Sequence, residues 1–236
     1  GPNPRAAIGY YEPGHYCFVV VDGRGTSTGV TLTNLSRLMA DLGCTAAYNL
    51  DGGGSTEIII DGKIYNTAVV VCGGQILGIV PKTYLPNYGE FYEQRWFVSA
   101  DDEIKNIELG GEYIPFGKNI IFRDADMKDF SFAVEICEDL WAPYCPSSSH
   151  AMAGAHIIVN LSASDEITGK ASYRRDLIKI HSSKILSAYM YADAGDGEST
   201  TDMVFSGHDI IAENGRILAE CKPFSKEKAV ITEVDV

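Results

Sequence analysis

Val134-Glu135-Ile136-Cys137-Glu138-Asp139-Leu140-Trp141 is the stretch on which the reading of this chain turns. Phe132–Ile136 reads as a buried strand, and the chain turns at Cys137. Two other runs end in the same way. Pro81-Lys82-Thr83-Tyr84-Leu85-Pro86 places a lysine directly after an apolar strand, in a loop stiffened by two prolines. Asn160-Leu161-Ser162-Ala163-Ser164 closes a third strand with small hydroxyl residues. In α/β sheets, ligands gather at the carboxyl ends of strands, so a cation, a thiol and hydroxyls at three such ends suggest one pocket.

The chemistry of that set is thiolate attack on a carbonyl. A cysteine is the strongest ordinary nucleophile near neutral pH, and a neighbouring ammonium lowers its pKa. The same lysine can hold the oxyanion, together with the backbone N–H that follows the cysteine. A carboxylate base is still needed to take and return protons. Spacing alone leaves a second reading level with the first: Cys137 as a small buried hydrophobe and Lys82 as a solvated residue at the sheet's rim.

Outward from these ends, Thr67–Cys72, Gly73-Gly74 and Gln75–Val80 read as a β-hairpin. Further strands are expected at Asn119–Phe122, Ala155–Leu161, Asp209–Ala212, Arg216–Ala219 and Ala229–Glu233. Helical patterns lie at Ser147–Ala153 and Tyr173–Tyr189, the latter with Leu177, Ile180, Ile185 and Tyr189 on one side. Tyr84, Phe91, Trp96 and Trp141 read as core aromatics. Alternating strands and helices that end in strand pairs give an α/β, or layered α+β, architecture.

The composition changes near residue 66. The first 66 residues hold 11 of the 24 glycines and a charge of −2, and the remaining 170 carry −11. Before that change, Tyr16–Val21 reads as a strand. Thr31 or Thr33 offers a helix N-cap, followed by Leu32, Leu35, Leu38, Met39 and Leu42 at helical spacing, and Gly43 stands at the C′ position. Ala46–Leu50 and Glu57–Ile60 are strand-like on either side of Asp51-Gly52-Gly53-Gly54-Ser55, and Asp61-Gly62 is a turn. Asn3-Pro4-Arg5-Ala6-Ala7-Ile8-Gly9, Val21-Asp22-Gly23-Arg24 and Asn49-Leu50-Asp51-Gly52-Gly53-Gly54-Ser55 set charged residues near glycines. That suits close backbone approach to a charged, sugar-like ligand, and equally suits three ordinary turns.

The 236 residues, 45% apolar and 22% charged, suffice for one large domain or two small ones. A net charge of −13 argues against nucleic acid or an anionic membrane as partner. No apolar run approaches a membrane span, and the opening Gly1-Pro2 segment is polar, without a signal-peptide pattern, as the interior of a longer protein would be. The six cysteines include no C-x-x-C pair and no histidine at zinc-finger spacing, so no metal site is expected and the thiols are read as mostly free. No cofactor motif, Walker A or G-x-G-x-x-G, is present.

Residues 66–236 resemble the nitrilase-type glutaminase domain of the glutamine-dependent NAD synthetases, members of the carbon–nitrogen hydrolase superfamily. The resemblance rests on ordered blocks: Gly78–Tyr88, Glu90–Phe97, Val134–Trp141, Ala153–Ala155, Asn160–Ser164, Gly169-Lys170, Tyr173-Arg174-Arg175 and Gly197–Asp202. It implies a partial αββα sandwich and glutamine amide hydrolysis that supplies ammonia for NAD synthesis, through a cysteinyl thioester, in the cytoplasm. It assigns the nucleophile to Cys137, the catalytic lysine to Lys82 and the lysine-supporting glutamate to Glu90. Glutamine contacts fall on Tyr88, Glu138, Ser164 and Lys170, where an arginine is common. It also implies glutamine as ligand, with an NAD synthetase domain or a second copy of the chain as partner.

The superfamily's general-base glutamate belongs upstream of the lysine, where unrelated sequence stands. That sequence, residues 1–65, resembles the C-terminal part of the phosphodiester glycosidase family over about residues 1–62. By that resemblance an N-terminal α/β fragment would bring Arg5, Asp22, Arg24 and Asp51 to a sugar phosphodiester, arginines on the phosphate and an aspartate in acid/base or nucleophilic work. The whole reads as a fusion of two partial domains, in which glutamine hydrolysis is impaired; a glycosidase or a non-catalytic protein are the competing readings.

Overall fold

The computed structural model describes residues 5–12, 15–21, 29–50, 56–127, 129–195, 203–226 and 229–235. The chain opens with strands β1 (Arg5–Glu12) and β2 (His15–Val21), helix α1 (Leu32–Asp41) and strand β3 (Ala46–Leu50). The three strands form an antiparallel sheet in the order β2-β1-β3. Thr31 caps α1: its side chain accepts the Asn34 N–H at 3.1 Å, and Gly43 ends the helix in the left-handed region at φ +88°. Of the helical apolar positions, Leu35 and Met39 turn inward onto Ala7, while Leu32, Leu38 and Leu42 stay exposed.

The next sheet comprises β4 (Thr56–Ile60), β5 (Lys63–Cys72), β6 (Gln75–Pro81), β7 (Lys105–Leu109) and β8 (Glu112–Phe116), in the order β4-β5-β6-β8-β7. β5 and β6 form the expected hairpin, with Gly73 and Gly74 at φ +57° and +82°, values that L side chains resist. β4 pairs with β5 from Thr56↔Thr67 to Ile60↔Lys63, so a hairpin spans the change in composition at residue 66.

The third sheet comprises β9 (Ile121–Arg123), β10 (Ser131–Ile136), β11 (Ile157–Ser162), β12 (Ala188–Asp193), β13 (Ile210–Glu213) and β14 (Arg216–Glu220). They are ordered β14-β13-β12-β11-β10-β9, with β10, β11 and β12 parallel. Helix α2 (Pro146–Met152) lies between β10 and β11 in sequence, and α3 (Lys170–Ile185) between β11 and β12. Side chains alternate along each strand, which makes two cores. Val134, Ile136, Ile157, Val159, Leu161 and Met190 meet Ala68, Val70 and Val80 of the five-stranded sheet, face to face. Ala133, Ile158, Tyr189, Tyr191 and Ile210 meet Ile178, Leu177 and Ile185 of α3 on the opposite face. The result is the expected α/β sandwich.

Four expectations differ from this structure. The helix over Tyr173–Tyr189 stops at Ile185, Leu186 turns at φ +54°, and Tyr189 belongs to β12. The helix also faces otherwise than its apolar spacing implies: Ile180 is 66% exposed, while Arg174, Ile178, His181 and Ser182 are buried. Arg174 and His181 go inside because they have polar partners there. Ala229–Glu233 forms no strand; Val230 and Val234 rest on the apolar cluster, but Ile231 is exposed. Trp96 is not a core aromatic, being 63% exposed. No described helix is long and apolar enough to cross a membrane, and none of Cys44, Cys72, Cys137, Cys145 and Cys221 is in a disulfide.

Candidate active site

β6 and β10 end side by side, and their sequences place Lys82 and Cys137 on the first residues beyond. Lys82 is almost wholly buried (1% exposed), held at both backbone ends: its N–H donates to Asn66 O and its carbonyl accepts from Ala100 N–H. A buried ammonium needs a counter-charge. Glu93 supplies it, with Oε1 at 2.7 Å from Nζ. The loop doubles back to bring it there: Glu93 N–H donates to Pro86 O, and Gln94 Nε2 donates to Leu85 O. The assignment of lysine support to Glu90 is therefore corrected. Glu90 stands near Asp165 instead, because the chain reverses between Pro86 and a 3-10 turn at Glu93–Arg95 rather than running on as a helix.

Burial pushes the Lys82 pKa down, but the Cys137 sulfur and Glu93 pull harder in the other direction, and the net shift is upward. Lys82 stays an ammonium. Cys137 moves upward too: burial dominates, opposed by the Lys82 charge, the Ser162 hydroxyl and the Ala163 backbone. The resting group is thus a thiol beside a cation, poised for a base. The Ser162 hydroxyl and the Ala163 backbone hydrogen-bond its sulfur, and the Glu93 charge opposes the thiolate. Cys145 makes the contrast: buried, its Sγ donating to Leu140 O and Ala142 O, it has its pKa pushed up to about 12 by burial and Glu135.

Cys137 sits at φ +48°, in the left-handed region where non-glycine residues are strained. Its neighbours hold it there. Asp139, fully buried, accepts from the backbone N–H groups of Ile136 (3.0 Å), Tyr84 (2.8 Å) and Thr83 (3.1 Å). One carboxylate thus ties the cysteine turn to the lysine loop. Nothing in the spacing singled out Asp139, although an acid two residues into a turn after a strand is a capping signal.

The residues assigned to glutamine contact group beside this centre. Tyr88 Oη donates to both oxygens of Glu138 at 2.9 Å. Burial pushes the Glu138 carboxyl up, against the Tyr88 bond and the Lys82 charge. Lys170 pairs with Asp165 and lies over Trp141, 5.4 Å from the ring centroid, with Phe91 also in reach. Trp141 and Phe91 are thus half-buried partners of a cation. A cavity of about 510 Å³ opens between the 83–88 loop and the cysteine turn, walled by Thr83, Tyr84, Pro86, Tyr88, Glu138 and Trp141.

Ser164 is buried beneath the Lys170 side of this group, its N–H on Asp193 and its hydroxyl accepting from Arg174. Arg174, with no exposed surface, also donates to Glu166 and Asp165 O, and His208 bridges it to Glu220. This network explains the Arg174 block in the sequence, for which spacing offered no role. Of the residues read as a sugar-phosphate site, Asp22, Arg24 and Asp51 lie outside the described residues, and Arg5 opens β1 opposite Val21. The block Gly197–Asp202 also lies outside them. No cluster able to hold a metal ion occurs among the described residues.

Comparison with known proteins follows the same division. Solved structures similar to this chain include a Saccharomyces cerevisiae member of the nitrilase superfamily, TM-score 0.56 at 20% identity, over 78% of this chain and 58% of that one. The fold is that of the nitrilase superfamily. Within that nitrilase-type fold, a glutamine-dependent NAD synthetase from Cytophaga hutchinsonii matches with TM-score 0.64 at 28% identity, over 74% of this chain and 28% of that one. In sequence, the glutamine-dependent NAD synthetase of Mycobacterium bovis is 48% identical over 164 residues, 70% of this chain. The chain spans about a quarter (24%) of that relative's length. Residues 1–75 match a different family model, phosphodiester glycosidase.

Proposed function

We propose that residues 66–236 form a glutamine amidohydrolase unit of the kind that feeds ammonia to NAD synthesis, joined to a phosphodiester-glycosidase-like module in residues 1–65. The observation that carries this reading is the meeting of Cys137, the Lys82–Glu93 ion pair and the Tyr88–Glu138 pair at adjoining strand ends, in a chain similar to glutamine-dependent NAD synthetases.

Cys137 attacks the carboxamide carbon of glutamine. Lys82 holds the oxyanion that develops on the carbonyl oxygen, and the N–H that follows the cysteine completes the hole. Collapse of the tetrahedral species breaks the C–N bond, ammonia leaves with an added proton, and a glutamyl thioester remains on Cys137. Water then cleaves the thioester to glutamate and restores the thiol. Tyr88, Glu138, Ser164 and Lys170 form the substrate's polar surroundings, Glu138 and Asp165 facing its ammonium and Lys170 its carboxylate.

Each proton transfer needs a base, and Glu93 Oε1 is already committed to Lys82. Turnover by this chain is accordingly slow, while alkylation of Cys137 by a glutamine-derived chloroketone remains efficient. The test combines that labelling with ammonia release: labelling that glutamine does not protect against, or that survives in Cys137→Ala, sinks the reading. Robust ammonia release lost in Cys137→Ala would keep the glutaminase and overturn the impairment. The match of residues 1–75 favours a second activity, cleavage of a sugar phosphodiester, checked by its loss in Asp51→Ala.

A further inference from the structure

Cys137 is held in a conformation its own backbone disfavours, at φ +48°. The side chain that meets it is Asn160, which has no exposed surface. Asn160 Oδ1 accepts the Cys137 N–H at 3.1 Å, and Nδ2 reaches the Cys137 carbonyl at 3.5 Å, so one carboxamide spans the peptide groups on both sides of the same residue. A carboxylate would lack the donor for such a clasp, and an aliphatic side chain would lack both groups.

The carboxamide is itself oriented from behind. Nδ2 donates to Tyr189 Oη at 3.0 Å, and Tyr189 Oη donates to Glu135 Oε1. Glu135 Oε2 accepts from the Ser147 N–H at 2.9 Å, which anchors the row to the start of α2. The sheet brings these groups together: Glu135 and Asn160 are direct partners across β10 and β11, and Tyr189 on β12 pairs with Ile158, diagonal to Asn160, all on the face toward α3. Both Glu135 and Tyr189 are buried. Burial pushes the Glu135 carboxyl up, against the hydrogen bonds it accepts from Tyr189 and the Ser147 N–H.

We infer that Asn160 is a positioning residue for the nucleophile: through the buried row Glu135–Tyr189–Asn160 it clamps Cys137 in the left-handed conformation that keeps the thiol beside Lys82. The inference rests on reading Cys137 as the nucleophile. Without the clamp the residue relaxes toward ordinary backbone angles, the sulfur drifts from the ammonium, and the thiolate becomes harder to form.

Alkylation by iodoacetamide across a pH series, resolved cysteine by cysteine in mass spectrometry, tests this on the intact chain. In Asn160→Ala, Cys137 labelling at neutral pH falls about tenfold and its pH midpoint moves up; in Tyr189→Phe it falls about threefold in the same direction, as loss of one supporting hydrogen bond would give. Cys145 and Cys221, both buried, stay as protected as in the parent and report an intact fold. Cys137 labelling at the parent rate in a folded Asn160→Ala overturns the inference. So does slowing that appears only together with exposure of Cys145 and Cys221, since the role would then be structural. Should Asn160→Ala fail to fold, Tyr189→Phe decides by the same two criteria. A glutamine chloroketone serves as a separate arm: if it shows no selectivity for Cys137 while the iodoacetamide comparison holds, the glutaminase reading fails and the clamp stands.

Discussion

The two regions of this chain bury their apolar residues on different scales. In the N-terminal region a three-stranded sheet and one helix enclose Ala7, Leu35 and Met39, with partly buried neighbours. In the remainder, a sheet is covered on both faces, by a second sheet and by α3. The difference bears on function as well as stability. A doubly covered sheet can hold ionisable groups such as Lys82, Glu135 and Arg174 inside and aim them, because many packed neighbours fix each one. A thin sheet has less with which to offset the cost of burying a charge.

The sharpest way to break this comparison is chemical. Cys137→Ala abolishes chloroketone labelling and removes the slow residual ammonia release, whereas Asp51→Ala leaves both unchanged. A loss of glutamine chemistry in Asp51→Ala would show that the first region contributes to the second region's site.

Next in size are the two cores. Ile158→Ala, at a position with no exposed surface, costs about 3–4 kcal/mol, and Leu35→Ala costs about 2, because the smaller cluster collapses more easily around the deletion. Both tryptophans, Trp96 and Trp141, stand in the second region, so their fluorescence follows that region alone. Denaturant titration followed by fluorescence shifts for Ile158→Ala and not for Leu35→Ala, while circular dichroism registers both. Equal shifts by both probes in both variants would mean one cooperative unit.

What the sequence disclosed follows the same contrast. Strands with β-branched runs and hairpins with Gly-Gly turns were legible, since those signals are local. Elements set by distant partners were not. The run through Tyr189 continues a helical spacing, yet burial on both faces makes it a strand. Arg174 and His181 are polar and sit inside, which inverted the apparent face of α3. At the site, Lys82 and Cys137 stood out because each follows an apolar strand. Glu93 was missed for Glu90, since only the reversal at Pro86 decides which of two nearby glutamates reaches the ammonium. Asn160 and Asp139 act on backbone groups, which leave no mark in residue spacing.

Acid sharpens the comparison further. Burial lowers the His181 pKa from 6.5 to about 4, with Ser147 Oγ as its hydrogen-bond partner. Between those values the unfolded chain binds the extra proton, so stability is fully present above pH 6.5 and falls as the pH drops toward 4, by up to ~3 kcal/mol. His181→Gln blunts that fall in tryptophan-detected melts. If acid sensitivity is unchanged in the variant, the titrating group lies elsewhere. The smallest effect belongs to the first region: Thr31→Ala removes the cap of α1 and costs about 1 kcal/mol, visible by circular dichroism and silent in fluorescence.

The hairpin of β4 and β5 has a practical corollary. β4 is the outermost strand of its sheet, and its partner carries Thr67-Ala68-Val69-Val70-Val71. A chain cut at residue 66 to isolate the glutaminase-like part would lose β4 and divide β5. It would bare an apolar strand whose unpaired N–H and carbonyl groups invite a neighbouring molecule's strand. Expression of the second region by itself is therefore expected to yield aggregates unless the cut falls ahead of Thr56, so the first region's last strand acts as a solubility guard for the second.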